Sequence, residues 1–138
     1  MSRFVLDASI ALAWCFPDEN TTLAEQVAKM FTRGDSALAP SFWPHEILNA
    51  LLAGEKRRRI TQDLIDNFLK DLAVLPVGLV PSPADDVFTR VQALCREFSL
   101  TAYDAAYLGL AVDGGLPLAT LHQDLIRACK KAGVDLLE

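Results

Sequence analysis

Asp104 is the acid whose sequence surroundings most strongly indicate chemistry. It lies in the segment 102–112, which is otherwise uncharged and almost wholly apolar. Such a segment predicts a buried helix, and a buried carboxylate is costly unless it is paired, hydrogen-bonded or bound to a metal ion. A distant arginine, or the positive end of the helix itself, would also satisfy Asp104. Its role is therefore either structural or that of a metal ligand.

Two other acids allow the same two interpretations. Asp7 follows the apolar run 4–6, and an aspartate after a strand is a common turn or cap residue. Glu46 lies early in a predicted helix, where acids are common, with Asn49 one turn further on. Taken together, carboxylates are the ligands that Mg²⁺ and Mn²⁺ prefer, and such a site can orient a phosphodiester and activate water for in-line attack. Sequence spacing alone does not bring the three acids together.

Short apolar segments alternate with helical segments along the chain. Strands are predicted at 4–6, 37–39, 77–80, 116–120 and 134–137, and helices at 9–16, 21–31, 44–58, 61–73, 84–98, 101–112 and 124–132. Strands that are apolar throughout are typical of parallel sheets buried on both faces. The pattern predicts an α/β fold, with a central, mostly parallel sheet of four to five short strands flanked by helices. Sites in such sheets form beyond the carboxyl ends of strands, where Asp7 and the segment after Thr120 lie.

The composition predicts one packed domain spanning residues 1–138. Hydrophobic residues make up 51% and charged residues 22% of the chain, which is typical of a globular protein. A net charge of -5 argues against a uniformly basic nucleic-acid-binding surface, although clustered metal-binding acids would themselves lower the charge. No run of about 18 apolar residues is present, so no membrane span is expected. Three widely spaced cysteines without a CxxC pair favour a reduced, cytoplasmic protein.

Three segments, taken in order, resemble motifs of the PIN-domain family, and most closely those of its VapC-type toxin branch. They read Phe-Val-Leu-Asp-Ala-Ser at 4–9, Glu-Ile-Leu-Asn-Ala-Leu at 46–51 and Leu-Thr-Ala-Tyr-Asp-Ala-Ala-Tyr-Leu at 100–108. A fourth segment, Pro-Leu-Ala-Thr at 117–120, matches the strand before the last acidic motif of the family. The likeness extends over essentially the whole chain, and the third segment is the most specific.

The resemblance implies a single PIN-like domain that hydrolyses RNA with Mg²⁺ or Mn²⁺. The implied metal-binding and catalytic residues are Asp7, Glu46 and Asp104, and the implied pocket residues are Ser9, Asn49 and Thr120. Members of the toxin branch are inhibited by a cognate antitoxin protein that inserts a segment into the acidic cleft, and they usually form homodimers. We therefore expect the toxin of a type II toxin–antitoxin pair, with RNA as its substrate.

Position 122 departs from the family pattern. The last motif usually reads Thr-x-Asp, which would place a fourth acid where His122 stands, and an aspartate follows only at Asp124. His122 would act as a neutral ligand or as a phosphate-binding cation, or it would weaken a second metal position, because imidazole suits Mg²⁺ poorly. Asp124 would replace the missing acid or cap the last helix. The alternative function is therefore a catalytically impaired PIN domain that binds RNA or an antitoxin.

An aspartate after a parallel strand is also typical of phospho-acceptor receivers and of haloacid-dehalogenase-like phosphatases. The phosphatase motif needs a second aspartate at the position that Ser9 holds. A receiver would have an acidic pair in the first motif and a lysine after a late strand. Neither pattern is present, so the nuclease interpretation is favoured.

The basic run Lys56-Arg57-Arg58-Arg59 also allows two interpretations. It places favourable positive charge at the end of a helix, or it forms a track for RNA phosphates. Lys56 would lie about 15 Å from Glu46 along the helix, so the run would contact a different part of the RNA from the acids.

We predict that the double variant Arg57→Ala, Arg58→Ala binds RNA more weakly and with a flatter salt dependence. Each phosphate contact that is lost reduces the number of counterions released when the RNA binds. The affinity for a single-stranded RNA, measured across a salt series, checks this expectation. An unchanged affinity and slope would leave the run with a structural role alone.

Overall fold

A four-stranded parallel sheet forms the centre of the molecule. The computed structural model describes residues 2–138. The strands are β1 (Arg3–Leu6), β2 (Ser36–Pro40), β3 (Val77–Val80) and β4 (Leu118–Ala119). Their order is β3-β2-β1-β4, and every neighbouring pair is parallel. The predicted α/β fold is therefore confirmed, with four strands formed.

Helices flank the sheet and lie close to the predicted ranges. They are α1 (Ala8–Cys15), α2 (Thr22–Thr32), α3 (Trp43–Lys56), α4 (Gln62–Ala73), α5 (Ala84–Asp86), α6 (Gln92–Phe98), α7 (Ala102–Gly114) and α8 (Gln123–Ala132). Three of them begin at a threonine whose hydroxyl accepts a hydrogen bond from the backbone N–H three residues on. These caps are Thr21, Thr61 and Thr101. They satisfy N–H groups that a helix start otherwise leaves unpaired.

The helix predicted at 84–98 is interrupted by the π-helical turn Val87–Val91, which joins α5 to α6. Arg90 in this turn donates a hydrogen bond to the carbonyl of Gly109 at 2.9 Å and pairs with Asp113 at 2.6 Å. A Cβ at Gly109 would lie 2.9 Å from the Arg90 guanidinium, so glycine permits this close approach. Arg90 therefore holds the π-helical turn against α7.

The strand predicted at 134–137 was wrong. This segment makes a single isolated bridge, between Leu136 and Leu118. Its potential partner β4 has only two residues, and only Leu118 directs its backbone toward this segment, donating to the carbonyl of Asp135 and accepting from the N–H of Leu137. A two-residue strand offers too few backbone groups to pair a further strand.

The centre of the sheet is where a site is expected. Phe4, Val5 and Leu6 of β1 are fully buried, and β1 lies between β2 and β4. The N–H of Asp7 donates to the carbonyl of Ala119 at 3.0 Å, so the carboxyl ends of β1 and β4 meet.

Two further expectations concern the chain as a whole. Within residues 2–138, no helix is long and apolar enough to cross a membrane. Cys15, Cys95 and Cys129 are free thiols, as expected, and Cys129 is buried in the core.

Candidate functional site

Asp7 is anchored at the carboxyl end of β1 by two hydroxyl groups. Its side chain is buried, with 5% of the residue exposed. Oδ2 accepts hydrogen bonds from Ser9 Oγ and from Thr120 Oγ1, each at 2.6 Å. Each hydroxyl in turn accepts a backbone N–H, from Leu121 in one case and from His122 in the other. Because an N–H can only donate, both hydroxyl protons are directed toward Asp7.

Glu46 lies in the first turn of α3 and is held by Tyr107. Tyr107 Oη donates a 2.5 Å hydrogen bond to Glu46 Oε1. Burial, and then the negative charge of Asp7, raise the pKa of Tyr107, so the hydroxyl keeps its proton and remains a donor. Tyr107 was not among the predicted site residues. The available signal was a buried tyrosine, three residues after Asp104 in an apolar helix, whose hydroxyl needs a partner.

Asp104 lies in the first turn of α7 and contacts His122. The Nδ1 atom of His122 lies 2.9 Å from Asp104 Oδ2, and the Asp104 side chain is 13% exposed. His122 is the N-cap residue of α8, and its side chain is half-exposed. The residue at the usual fourth-acid position therefore meets the third acid directly.

The three predicted acids line one open cavity. Asp7, Glu46 and Asp104 border it, and so do Ser9 and His122. Thr120 reaches the cavity through its hydrogen bond to Asp7. The structure thus brings together the acids that the resemblance implied.

Burial, and then the neighbouring acids, disfavour the charged forms of Glu46 and Asp104. Burial raises the pKa of Glu46 above its usual value, and the charges of Asp7 and Asp104 raise it further, against the lowering effects of Tyr107 and His122. Burial likewise raises the pKa of Asp104, and Asp7 adds to the shift, although His122 opposes it. Both carboxyls are therefore easier to protonate than free ones.

The donor set suits a hard divalent cation. Three carboxylates and the hydroxyls of Ser9 and Thr120 supply oxygen atoms, and no Lys or Arg is among the residues that line the cavity. Each carboxylate is turned toward a protein donor, however. Among residues 2–138, no three His, Cys, Asp or Glu side chains are grouped as a ready-made metal cluster. The chemistry fits Mg²⁺ or Mn²⁺, because the contacts to Tyr107 and His122 use one oxygen each of Glu46 and Asp104 and leave the second oxygen of each carboxylate for a cation.

Two of the predicted residues lie away from the cavity. Asn49 borders a neighbouring groove, which shares Glu46 with the acidic cavity. Asp124 is exposed and pairs with Arg127 at 2.6 Å. It lies in the first turn of α8 and is not the N-cap, which is His122. A metal-binding role for Asp124 stays a prediction.

Glu19 lines the cavity and was also missed from the sequence. It belongs to the 3₁₀ turn Pro17–Glu19, which follows α1. Arg59 pairs with Asp18 and Glu19, each at 2.9 Å, and its guanidinium lies over the Phe16 ring. The last arginine of the basic run therefore holds this turn beside the cavity.

The remainder of the basic run stays available to solvent. Lys56, Arg57 and Arg58 are exposed at the end of α3. Within the basic run, a track for RNA phosphates would therefore consist of these three residues and not of Arg59.

The chain is similar in sequence to one protein family and to a curated relative. The PIN domain family model matches residues 4–131, a range that includes every acid of the cavity. Ribonuclease VapC3 from Pyrobaculum aerophilum is 28% identical over 123 residues, which cover 89% of this chain and 92% of that protein.

Among the solved structures that resemble this one are two from different organisms. The crystal structure of PAE2754 from Pyrobaculum aerophilum has a TM-score of 0.66 and 25% identity, covering 93% of this chain and 87% of that chain. A toxin–antitoxin complex from Klebsiella pneumoniae contains a chain with a TM-score of 0.54 and 16% identity, covering 88% of each. The second match, at that identity, supports the fold alone.

We predict that Glu46→Gln raises the thermal unfolding midpoint of the metal-free protein at pH 7. The raised pKa means that ionised Glu46 is less favourable in the folded state than in the unfolded chain. Glutamine removes the charge and keeps an oxygen that can accept from Tyr107. The advantage should shrink as the pH falls toward 4.5, the ordinary value for this carboxyl, because the wild type then takes up its proton.

Circular dichroism in EDTA at neutral and acidic pH measures these midpoints. Glu97→Gln, on the exposed surface of α6, is the matched control and should leave the midpoint unchanged. A lower midpoint for Glu46→Gln at pH 7 would show that the charge of Glu46 is well accommodated.

Proposed function

The chain belongs to the PIN-domain family, and from that premise we propose that it is an endoribonuclease that hydrolyses RNA with Mg²⁺ or Mn²⁺. The observation that carries the proposal is the convergence of Asp7, Glu46 and Asp104 on one cavity at the carboxyl end of the sheet. The similarity to a protein named Ribonuclease VapC3 supports RNA as the substrate. These three acids are the proposed catalytic and metal-binding residues.

We propose further that the protein is the toxin of a type II toxin–antitoxin pair. The similarity to Ribonuclease VapC3 supports this role, because the sequence motifs resemble those of the VapC-type toxin branch. Its partners would be a cognate antitoxin and a second copy of the chain. The free cysteines suit a cytoplasmic location, where the RNA is found.

The three acids differ in how firmly the protein holds them. Asp7 is fixed by Ser9 and Thr120, so it presents a carboxylate in one orientation. Glu46 and Asp104 each have one donor, Tyr107 and His122 respectively, and can exchange it for a cation. A bound divalent ion would lower the pKa of a water molecule and polarise the scissile phosphate.

We predict that the purified protein cleaves a mixed pool of single-stranded RNA with Mg²⁺ or Mn²⁺ and that EDTA abolishes cleavage. Asp7→Asn and Asp104→Asn should each lower the rate at least about a hundredfold. Removing a group that only orients a metal ligand lowers activity by up to about a hundredfold. The loss here should be at least as large, because these acids would bind the ion directly. Gel analysis of the products over time measures the rates.

The control is Asp63→Asn, the same replacement at an exposed site on α4, which should cleave like the wild type. Retained cleavage in Asp7→Asn or Asp104→Asn, with an intact fold, would remove that residue from the mechanism. Cleavage that persists in EDTA would exclude the metal.

One observation favours the second function, a catalytically impaired PIN domain that binds RNA or an antitoxin. His122 occupies the usual fourth-acid position, and its Nδ1 atom engages an oxygen of Asp104. A protein in which this contact keeps Asp104 from a cation would retain the fold and the surface but cleave poorly.

We predict that under this second function His122→Asp increases Mg²⁺-dependent cleavage by about tenfold or more, because a carboxylate suits Mg²⁺ better than imidazole. His122→Asn is the matched control, since it removes the imidazole without adding an acid. Equal gains in both variants would assign the effect to release of Asp104. Lower cleavage rates in both variants would show that His122 contributes to cleavage, and would reject the catalytically impaired PIN domain.

A further inference from the structure

A second groove, lined mainly by aromatic and uncharged polar side chains, lies beside the acidic cavity. Phe42, His45, Asn49, Ala50 and Tyr103 line it, together with Glu46, which also borders the acidic cavity. We call it the aromatic groove. Because the two depressions share Glu46, a ligand long enough to fill both would pass directly from one to the other.

The principal surface of the aromatic groove is the ring of Tyr103. This residue is 58% exposed, although it lies in the first turn of α7 next to Asp104. The Phe42 ring packs against it almost at right angles, with the ring centroids 5.0 Å apart. Phe42 therefore fixes the orientation of the Tyr103 ring while a large part of it stays open to a ligand.

The same aromatic packing leads to the catalytic acids. Phe42 also packs edge-on against Tyr107, with the centroids 5.7 Å apart, and Tyr107 holds Glu46. Tyr103, Phe42 and Tyr107 thus form a continuous series of rings that ends at Glu46. A ligand seated on Tyr103 has a fixed position relative to the acidic cavity.

The charges of the aromatic groove argue against a phosphate as its occupant. Neither Lys nor Arg is among its lining residues, and the carboxylate of Glu46 would repel an anion. Asn49 and His45 are exposed polar residues beside the ring. An amide offers both a donor and an acceptor, which matches the edge of a nucleobase. An aromatic face with polar groups at its border is typical of sites that stack an unpaired base.

We propose that the aromatic groove binds one unpaired nucleobase of the RNA, stacked on Tyr103 and adjacent to the phosphate that lies in the acidic cavity. The inference rests on the proposed function, since it names a subsite for the same substrate. Duplex RNA keeps its bases stacked and would not fill the groove, so the substrate is single-stranded at this point.

The first test is binding of a short fluorescent oligoadenylate in Ca²⁺, measured by anisotropy. Tyr103→Leu should weaken binding about tenfold, a loss in the range for removing one base–aromatic stack. Tyr103→Phe keeps the ring and should bind like the wild type. The matched control is Phe88→Leu, at a 70% exposed aromatic in the Val87–Val91 turn, and it should change nothing.

The same oligomer with abasic riboses distinguishes the base from the backbone. Tyr103→Leu and the wild type should bind this abasic RNA equally, because the phosphates remain and the stacking partner is gone. A tenfold loss on the abasic RNA would show that Tyr103 contacts the backbone, and it would overturn the inference. Unchanged binding of oligoadenylate by Tyr103→Leu would also overturn it and leave the aromatic groove to a protein partner.

Cleavage of the mixed RNA pool separates this inference from the proposed function. Wild-type cleavage with an unaltered rate in Tyr103→Leu would overturn the base subsite and leave the nuclease intact. A slower rate in Tyr103→Leu at low RNA concentration, recovered at saturating RNA, supports the subsite. Absence of both cleavage and RNA binding in the wild type would overturn the two together.

Discussion

The buried carboxylate of Asp7 is the constraint on which the fold and the site both depend. It follows a fully buried strand, and a charge in such a place is tolerated only when hydrogen bonds replace its water. The two hydroxyls that satisfy it come from opposite ends of the chain, Ser9 after β1 and Thr120 after β4. When β4 pairs with β1, it therefore also brings Thr120 to the carboxylate of Asp7. A chain that failed to place Thr120 would leave Asp7 with Ser9 as its remaining side-chain donor and β1 without its neighbour β4.

The remaining acids are held in place against their mutual repulsion. Asp104 is carried by α7, whose residues Ala105, Leu108 and Ala111 are buried in the core. Arg90 fastens the π-helical turn to the middle and end of the same helix, at Gly109 and Asp113. These contacts supply the stability that the acidic cavity itself reduces, a division common in enzymes. Helix α7 is uncharged along its first three turns apart from Asp104 because its other side chains serve packing.

The sequence predicted what depends on local pattern and failed where distant contacts decide. Threonine caps and apolar runs located nearly all the elements, since both signals lie within a few residues. The assignment of Asp7, Glu46 and Asp104 to one site needed the resemblance, because no spacing rule joins positions so far apart. Tyr107 was missed since its partner Glu46 is 61 residues away. The last strand was predicted from apolar residues at 134–137, yet the two-residue length of β4 limited it to one bridge.

The charges on this surface assign different tasks to different regions. Under the proposed function, the acidic cavity would repel RNA phosphates unless a cation accompanied them, so substrate binding there would be coupled to metal binding. Lys56, Arg57 and Arg58 attract phosphates without that requirement, while Arg59 is already engaged by Asp18 and Glu19. The base subsite proposed for the aromatic groove would rely on stacking, which depends little on charge. An acidic protein with the proposed function could therefore bind a polyanion, because attraction, stacking and catalysis would take place on separate parts of its surface and only catalysis would require the acids.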